Sequence, residues 1–370
     1  MKTKILQQAF PRFAAGFVAL FTLLVSASTA FSLTFTTLDF PDATSTSAVG
    51  INASGDIVGG YDDADGVGHG FLLAKGTFTT IDVPGATFSA AHGINSAGKI
   101  VGEYGDLATF VFHGFLLAKG TFTTIDVPGA FFTDASGIND AGDIVGATLL
   151  PGGDLRGFLL SKGTFTMIEA PGSIITFASG VSNSRKIVGT YLDFSVEFRG
   201  FLLANGVFTT IDVAGATRVE ADGINSAGQI VGNYDDAGGV GHSFVLANGV
   251  LTTIDVPGST NTYATGINTR GDIVGSYTDS AGMFHGFLAQ SFESRKQNGE
   301  KFGSVLTLTH CLETRLTNSV EDNAFHFLRA ERSISAGSRN RQASSLRSPI
   351  HDIRVIRGRI HIYKLFCHTG

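Results

Sequence analysis

The amino-acid sequence repeats itself every 43 or 44 residues. The eighteen residues from His69 to Ala86 return letter for letter from His113 to Ala130. An acidic residue marks the same place in six successive copies, at Asp39, Asp82, Asp126, Glu169, Asp212 and Asp255. A period of about 40–45 residues with several short strands is typical of one blade of a β-propeller. The repeat therefore predicts an all-β chain built from copies of one unit.

Each copy contains the signals for four short strands. In the first copy these are SAVGIN, DIVGGYDD, HGFLLAKG and TFTTIDVP, which are rich in the Val, Ile, Phe and Thr that favour strands. An Ala-x-Gly triplet recurs in the first strand, at Ala48, Ala91, Ala135, Ala178, Ala221 and Ala264. Small residues permit a close approach of backbones. We therefore expect the first strands to surround a crowded central axis.

The two ends of the repeat region complement each other. The sixth copy stops near Leu288 without a fourth strand, whereas residues 33–41 form a spare fourth strand before the first copy. Pairing the two would close a ring and remove exposed sheet edges. The sequence thus predicts a six-bladed β-propeller over residues 31–290. The alternative is an open β-solenoid, which would not need the spare strand.

The first thirty residues are typical of a secretory signal peptide. Lys2, Lys4 and Arg12 precede an apolar run at residues 14–25, and small residues lead up to Ala30. We expect cleavage near Ala30, a secreted protein in the extracellular space or periplasm, and no membrane span in the mature chain. The alternative, an uncleaved anchor, is disfavoured because the apolar run is shorter than the roughly 20 residues of a span.

The motif G-I-N-x-x-G-x-I-V-G followed by H-G-F resembles the HAF-type extracellular repeat of secreted bacterial proteins. The resemblance covers residues 33–290. It implies an extracellular repeat protein and does not imply a particular activity. The triplet is His-Gly-Phe in three copies, while Ser243 replaces the glycine in a fourth, and Arg156 and Arg199 replace the histidine in two more.

Charge separates the repeat region from the C-terminal segment. Residues 291–370 carry 13 Lys and Arg against 7 Asp and Glu, so that residues 1–290 have a net formal charge of −12. An acidic body is a poor partner for nucleic acid. We expect residues 291–370 to be an irregular or disordered basic tail, an arm of the kind that binds an anionic surface or nucleic acid. Two alternatives are a small domain bridged by Cys311 and Cys367 and a segment translated out of frame.

Several repeated polar residues invite a functional interpretation and have a simpler structural one. The six acidic positions precede turns, where carboxylates commonly bind backbone amides. Histidines recur at His69, His113, His242 and His285, but arginine replaces two members of the set, so we interpret them as strand-edge donors. The stretch at residues 62–66 resembles part of a calcium loop and lacks the distal glutamate. No cofactor is therefore predicted.

The residue x of Ala-x-Gly varies within the constant frame. His92 and Asp222 occupy it in the second and fifth copies, which face each other in a ring of six, and they are the candidate ligand-binding residues at a channel mouth. The sequence contains no nucleophile elbow, no Gly-rich phosphate loop and no paired metal-ligand motif. A binding module for an extracellular glycan or protein is the favoured hypothesis. The alternatives are a propeller hydrolase or lyase and a purely structural repeat protein.

Overall fold

The computed structural model describes residues 33–106, 111–291, 350–356 and 359–365. The predicted signal peptide lies outside these residues, as does most of the predicted tail. All regular secondary structure in the described residues is β-strand. This part of the chain holds no helix with the length and apolar character needed to cross a membrane.

The repeats fold into groups of four strands that we call units. The chain starts with β1 (Leu33–Leu38). Unit 1 contains β2 (Ser45–Ile51), β3 (Ile57–Asp62), β4 (Gly68–Ala74) and β5 (Thr77–Ile81). Unit 2 contains β6 (Phe88–Ile94), β7 (Ile100–Asp106), β8 (Val111–Ala118) and β9 (Thr121–Ile125). Unit 3 contains β10 (Phe132–Ile138), β11 (Ile144–Leu150), β12 (Asp154–Ser161) and β13 (Thr164–Ile168).

The later units follow the same order. Unit 4 contains β14 (Ser173–Val181), β15 (Ile187–Asp193), β16 (Phe198–Ala204) and β17 (Val207–Ile211). Unit 5 contains β18 (Arg218–Ile224), β19 (Ile230–Asp235), β20 (Gly241–Ala247) and β21 (Val250–Thr253). Unit 6 contains β22 (Asn261–Ile267), β23 (Ile273–Thr278) and β24 (Phe284–Ser291). Neighbouring strands within a unit are antiparallel, and a single parallel pair, Phe132 with Phe112, joins units 2 and 3 into one sheet.

The N-terminal strand completes unit 6, as the sequence predicts. β1 pairs with β24 over six residues, from Leu33 opposite Ser291 to Leu38 opposite Gly286. The Phe35 and Phe287 rings pack at 5.8 Å between centroids. The last sheet therefore contains strands from both ends of the repeat region.

The first strands of the units form a closed cycle. Each contacts the first strands on either side, and β22 of unit 6 returns to β2 of unit 1. A Cβ added to Gly50 would lie 2.5 Å from the His92 carbonyl oxygen, and one added to Gly266 would lie 2.6 Å from that of Val49. The glycine of Ala-x-Gly is thus required by the close approach of neighbouring first strands, and the crowding expected there is confirmed. The fold is all-β and propeller-like.

The hydrophobic core lies between neighbouring units. One cluster combines Val58 and Ile81 of unit 1 with Ala91, Ile100 and Phe115 of unit 2. The phenylalanine of the Gly-Phe or Ser-Phe pair is buried in every unit, at Phe71, Phe115, Phe158, Phe201, Phe244 and Phe287. Because each core is shared, a unit cannot bury its apolar surface without its neighbours.

The strand register divides the molecule into two faces. In unit 1, Ser45 pairs with Asp62 and Asp62 pairs with Gly68, so the second-to-third-strand loop lies at the same edge as the start of the first strand. We call this edge, which also carries the links between units, the connecting face. The opposite edge carries the turns that begin at Asn52 and Lys75, and we call it the turn face.

Part of the predicted tail is more regular than expected. β25 (Ile350–Ile356) and β26 (Arg359–Leu365) pair as antiparallel strands. These two stretches are thus paired strands, whereas the sequence predicts an irregular tail. Their alternating β-branched residues favour strand pairing.

Candidate functional site

The repeated acidic residues and the repeated histidines pair with each other on the connecting face. The His69 Nδ1 lies 3.0 Å from Asp82, and its Nε2 lies 3.3 Å from Asp63 in the adjacent loop. The same pairing joins His113 to Asp126, Arg156 to Glu169, Arg199 to Asp212, His242 to Asp255 and His285 to Asp39. Sequence reasoning treated the two sets separately and missed this pairing, because the partners lie on different strands.

We call these pairs of the connecting face the rim pairs. Further hydrogen bonds and ring contacts hold them in place. The Tyr61 ring stacks on His69 with centroids 5.0 Å apart, and its hydroxyl lies 2.9 Å from that of Thr80. The Asp63 carboxylate accepts hydrogen bonds from the backbone amides of Asp65 and Val67. The rim groups thus use their polar atoms on one another, which indicates a structural role. Among the described residues no set of three or more His, Cys, Asp and Glu side chains is arranged to hold a metal ion.

The variable residue x of Ala-x-Gly occupies a β-bulge. In every first strand the register shifts between the alanine and the glycine, as between Ala91 and Gly93 or between Ala221 and Gly223. A bulge adds one residue and re-aims its side chain. His92 and Asp222 are therefore both bulge residues of first strands, on β6 and β18. Both side chains are half-buried, and each lies between a buried alanine and a buried glycine.

His92 belongs to a polar group that we call the His92 cluster, formed with Glu103, Asp134 and Ser136. Its Nδ1 lies 2.9 Å from Asp134 of the next unit, and Ser136 donates a hydrogen bond of 2.8 Å to the same carboxylate. Glu103 on β7 is only 1% exposed, and neither of its carboxylate oxygens has a hydrogen-bond partner. The equivalent residues in the other units are uncharged, namely Gly60, Ala147, Thr190, Asn233 and Ser276.

The His92 cluster changes the protonation of its members. Burial alone would lower the pKa of His92, but the neighbouring Asp134 carboxylate raises the pKa to about 9. Burial raises the pKa of Glu103 to about 8, the Asp134 charge adds to this effect, and His92 opposes it. At neutral pH the cluster therefore holds a protonated imidazole and a neutral carboxylic acid.

We expect the Glu103→Gln variant to unfold with a weaker pH dependence than the wild type. A raised pKa in the folded state means that the folded chain binds a proton more tightly than the unfolded chain, so stability is fully present at low pH and falls as pH rises. For Glu103 this loss of stability occurs between the pH of its ordinary pKa and about pH 8. The slope is up to about 1.4 kcal/mol per pH unit. Urea unfolding from pH 5 to pH 8 measures it.

His92 contributes a loss in the same direction at higher pH, from about 6.5 to 9. The decisive interval is therefore pH 5 to 6.5, where only Glu103 of this pair changes its proton binding between the states. The exposed loop variant Asp65→Asn serves as a control and should keep the wild-type slope. An unchanged slope in Glu103→Gln would contradict the assignment.

Asp222 lies in a second group, the Asp222 cluster, formed with Arg218, Glu220 and Asn233. The Asn233 Nδ2 donates a hydrogen bond of 2.6 Å to Asp222, and the Asn233 Oδ1 accepts one of 2.8 Å from the backbone amide of Ala264. Arg218 pairs with Glu220 and lies over the Phe198 ring at 5.2 Å. The Arg218 Nε is buried without a partner. Nearby carboxylates raise the pKa of Arg218 in spite of its burial.

The two predicted site residues thus belong to different clusters. His92 binds Asp134 across the boundary of units 2 and 3, whereas Asp222 binds Asn233 within unit 5. Sequence reasoning missed Glu103, Asp134, Arg218 and Glu220. A comparison of the copies could have indicated Glu103, because a charge replaces small or neutral residues there. The pairing across unit boundaries needed the structure.

The turn face holds a small central cavity of about 80 Å³ that is open to solvent. Every unit contributes the residues that follow its first strand, which include Asn52, Asn95, Asn139, Ser182, Asn225 and Asn268. The Asn95 Nδ2 donates to the Asn139 carbonyl oxygen at 3.1 Å, and the Asn268 Nδ2 donates to the Asn52 carbonyl oxygen at 3.2 Å. These amides hold neighbouring units together, which indicates a structural role for this end of the axis.

Comparison with known proteins gives similarity of overall structure only. No family model matches the chain, and no curated protein matches it. The solved structure of AofleA from Arthrobotrys oligospora is 12% identical, with 70% of this chain and 90% of that chain covered and a TM-score of 0.48. A fucose-specific lectin from Aleuria aurantia is 12% identical, covering 67% and 95%, with a TM-score of 0.45. TolB from Acinetobacter baumannii is 14% identical, covering 67% and 64%, with a TM-score of 0.44. These scores support no conclusion about a ligand.

Proposed function

We propose that the mature chain is an extracellular binding module that holds a glycan on its connecting face, at the mouth of the central axis. The site comprises the His92 cluster and the Asp222 cluster. The ligand is bound without chemical change. This proposal includes secretion after cleavage near Ala30 and membership of the HAF-type repeat family, both of which rest on the sequence patterns.

The observation that supports the location is the difference between the rim and the first strands. The rim pairs are nearly the same in every unit and bind one another. The first strands instead place different side chains at equivalent positions, with Asp134, Glu220 and Tyr263 directly before the alanine of Ala-x-Gly in units 3, 5 and 6. All three residues are half-buried. Such a departure from the repeat can give one part of a repeated scaffold a chemistry that the other copies lack.

The chemistry of these side chains suits a ligand rich in hydroxyl groups. Carboxylates accept hydrogen bonds only, whereas imidazolium and guanidinium groups donate them, so the two clusters offer both kinds of partner. The tyrosine ring of Tyr263 adds an aromatic surface with a polar end. A few polar groups that fix orientation beside apolar surface are typical of small-ligand sites.

The pKa of His92 argues against the hydrolase or lyase hypothesis. A general base must be unprotonated near the working pH. The Asp134 carboxylate keeps His92 protonated at neutral pH by raising its pKa to about 9. His92 therefore cannot be the general base of the acid-base role considered for His92 and Asp222.

We also propose that the closed cycle of units is a six-bladed β-propeller whose sixth blade is shared by both ends of the repeat region. The glycines of Ala-x-Gly support this count, because Gly50, Gly93, Gly137, Gly180, Gly223 and Gly266 each approach the next in turn and the last approaches the first. A closed ring places the first strands around a common axis, which brings units 2 and 5 to opposite sides.

Glycan binding by the secreted chain tests the function. We expect one or more oligosaccharides on a glycan array to bind, and Asp222→Asn and Asp134→Asn to weaken the binding by about tenfold or more, since each removes a charged hydrogen-bond acceptor. Asp212→Asn is the matched control, because it makes the same change at the rim, and should stay within about twofold. If no glycan binds, the proposed function is wrong and the structural-repeat alternative is favoured.

A further inference from the structure

Acidic and basic side chains lie mainly on different faces of the folded chain. Within the described ring, 17 carboxylates and three arginines lie at strand ends and loops of the connecting face, a net formal charge of −14 without the histidines. The turn face carries four carboxylates and seven lysines and arginines, a net charge of +3. Protonation of the four rim histidines would leave the connecting face at −10. The two ends of the axis therefore differ in sign.

The sorting follows from the repeat. Each copy places its acidic residue at the end of the fourth strand and acidic residues in the second-to-third-strand loop, while the lysines of units 1, 2 and 3 lie in the opposite turns, at Lys75, Lys119 and Lys162. Closure brings the copies side by side, so like charges accumulate on one face. Many rim carboxylates remain accessible, with side-chain exposures of 61% for Asp154 and 56% for Glu169.

The two clusters of the proposed site are acidic as well. Asp134, Glu220 and Asp222 face two cations, His92 and Arg218, within the two clusters. Glu103 adds a buried carboxyl group beside Asp134, with both oxygens lacking a partner. A cation that reached the His92 cluster would favour ionisation of this group and so gain a further negative charge. An anionic ligand would meet repulsion from the rim and from the mouth alike.

We infer that the glycan bound at the connecting face is cationic, an oligomer or polymer of amino sugars that carries free ammonium groups. This inference rests on the proposed function and names the ligand class of the same site. The ammonium groups pair with Asp134, Glu220 and Asp222, and the sugar hydroxyls bond to the remaining donors and acceptors. The acidic rim attracts the rest of a long polymer.

The test compares three oligosaccharides of similar length that differ in charge. These are a glucosamine oligomer, its N-acetylated form and a uronic acid oligomer, and they are titrated into the full mature chain at pH 6 and low salt. We expect the glucosamine oligomer to bind at least about tenfold more tightly than the N-acetylated one, because charge-assisted hydrogen bonds are roughly twice as strong as neutral ones. The uronic acid oligomer should not bind. Raising the salt should weaken the binding.

Variants of the protein and a polycation without sugar groups show which groups the preference for the glucosamine oligomer depends on. Glu220→Gln and Asp222→Asn should reduce the preference for the glucosamine oligomer, while Lys119→Gln on the turn face should leave it unchanged. Equal binding of the N-acetylated oligomer would overturn this inference and leave the proposed function standing. Oligolysine that binds as tightly as the glucosamine oligomer would overturn it too, since the attraction would not involve the sugar. If no glycan binds at all, both proposals fail.

Discussion

Removal of residues 33–41 is expected to abolish the cooperative unfolding transition of the protein. The deletion takes away β1, which pairs with β24 over six residues, and the Phe35 ring that packs on Phe287. It also removes Phe40, whose ring stacks on Tyr61 of unit 1 at 3.7 Å between centroids. The combined loss should be comparable with the roughly 5–15 kcal/mol that stabilises a whole domain.

The position of this strand explains the size of the effect. β1 lies where the two ends of the repeat region meet, and without it β24 becomes an exposed edge that can pair with other chains. Calorimetry and size-exclusion chromatography should show a loss of the transition together with aggregation. Addition of a synthetic peptide of residues 31–42 should restore part of the stability. Thr34→Ser, on the exposed side of β1, is the control and should unfold as the wild type does.

The second large effect is expected at Gly59 and not at Gly60. A Cβ added to Gly59 would lie 2.0 Å from the Ser47 carbonyl oxygen and 2.9 Å from the Phe71 ring. Both neighbours belong to the packed interior, so Gly59→Ala should destabilise the chain by about 3 kcal/mol or more. At Gly60 the nearest atom would be 3.5 Å away, and unit 3 already carries Ala147 at this position. Gly60→Ala should be neutral or stabilising by up to about 1 kcal/mol.

The two variants control for each other because they make the same change in adjacent residues of one strand. Urea unfolding of both, with the wild type alongside, gives the comparison directly. Similar stabilities for the two variants would mean that the glycine of Ile-Val-Gly is not held against the first strand as the structure has it.

Much of the architecture can be predicted from the repeat because each copy contains most of the local sequence signals that form its strands and turns. Alternation, turn glycines and strand-forming residues define four strands in a unit, and the unmatched strand at residues 33–41 indicates its partner at the other end. The candidate site was predicted only as two residues, His92 and Asp222. Glu103 and Asp134 could not be placed beside His92, because they lie on other strands and, for Asp134, in the next unit.

The sequence by itself determined the repeating unit, its strands and the crowding of the first strands, because these depend on residues close together in the chain and on a period that is visible in the letters. Only the tertiary structure decided which polar groups pair and how the charges are shared between the two faces. Pairs such as His285 with Asp39 join residues 246 positions apart. The amino-acid composition shows that residues 1–290 are acidic. Only the packing of the units against one another brings the carboxylates together on the connecting face and the lysines together on the turn face.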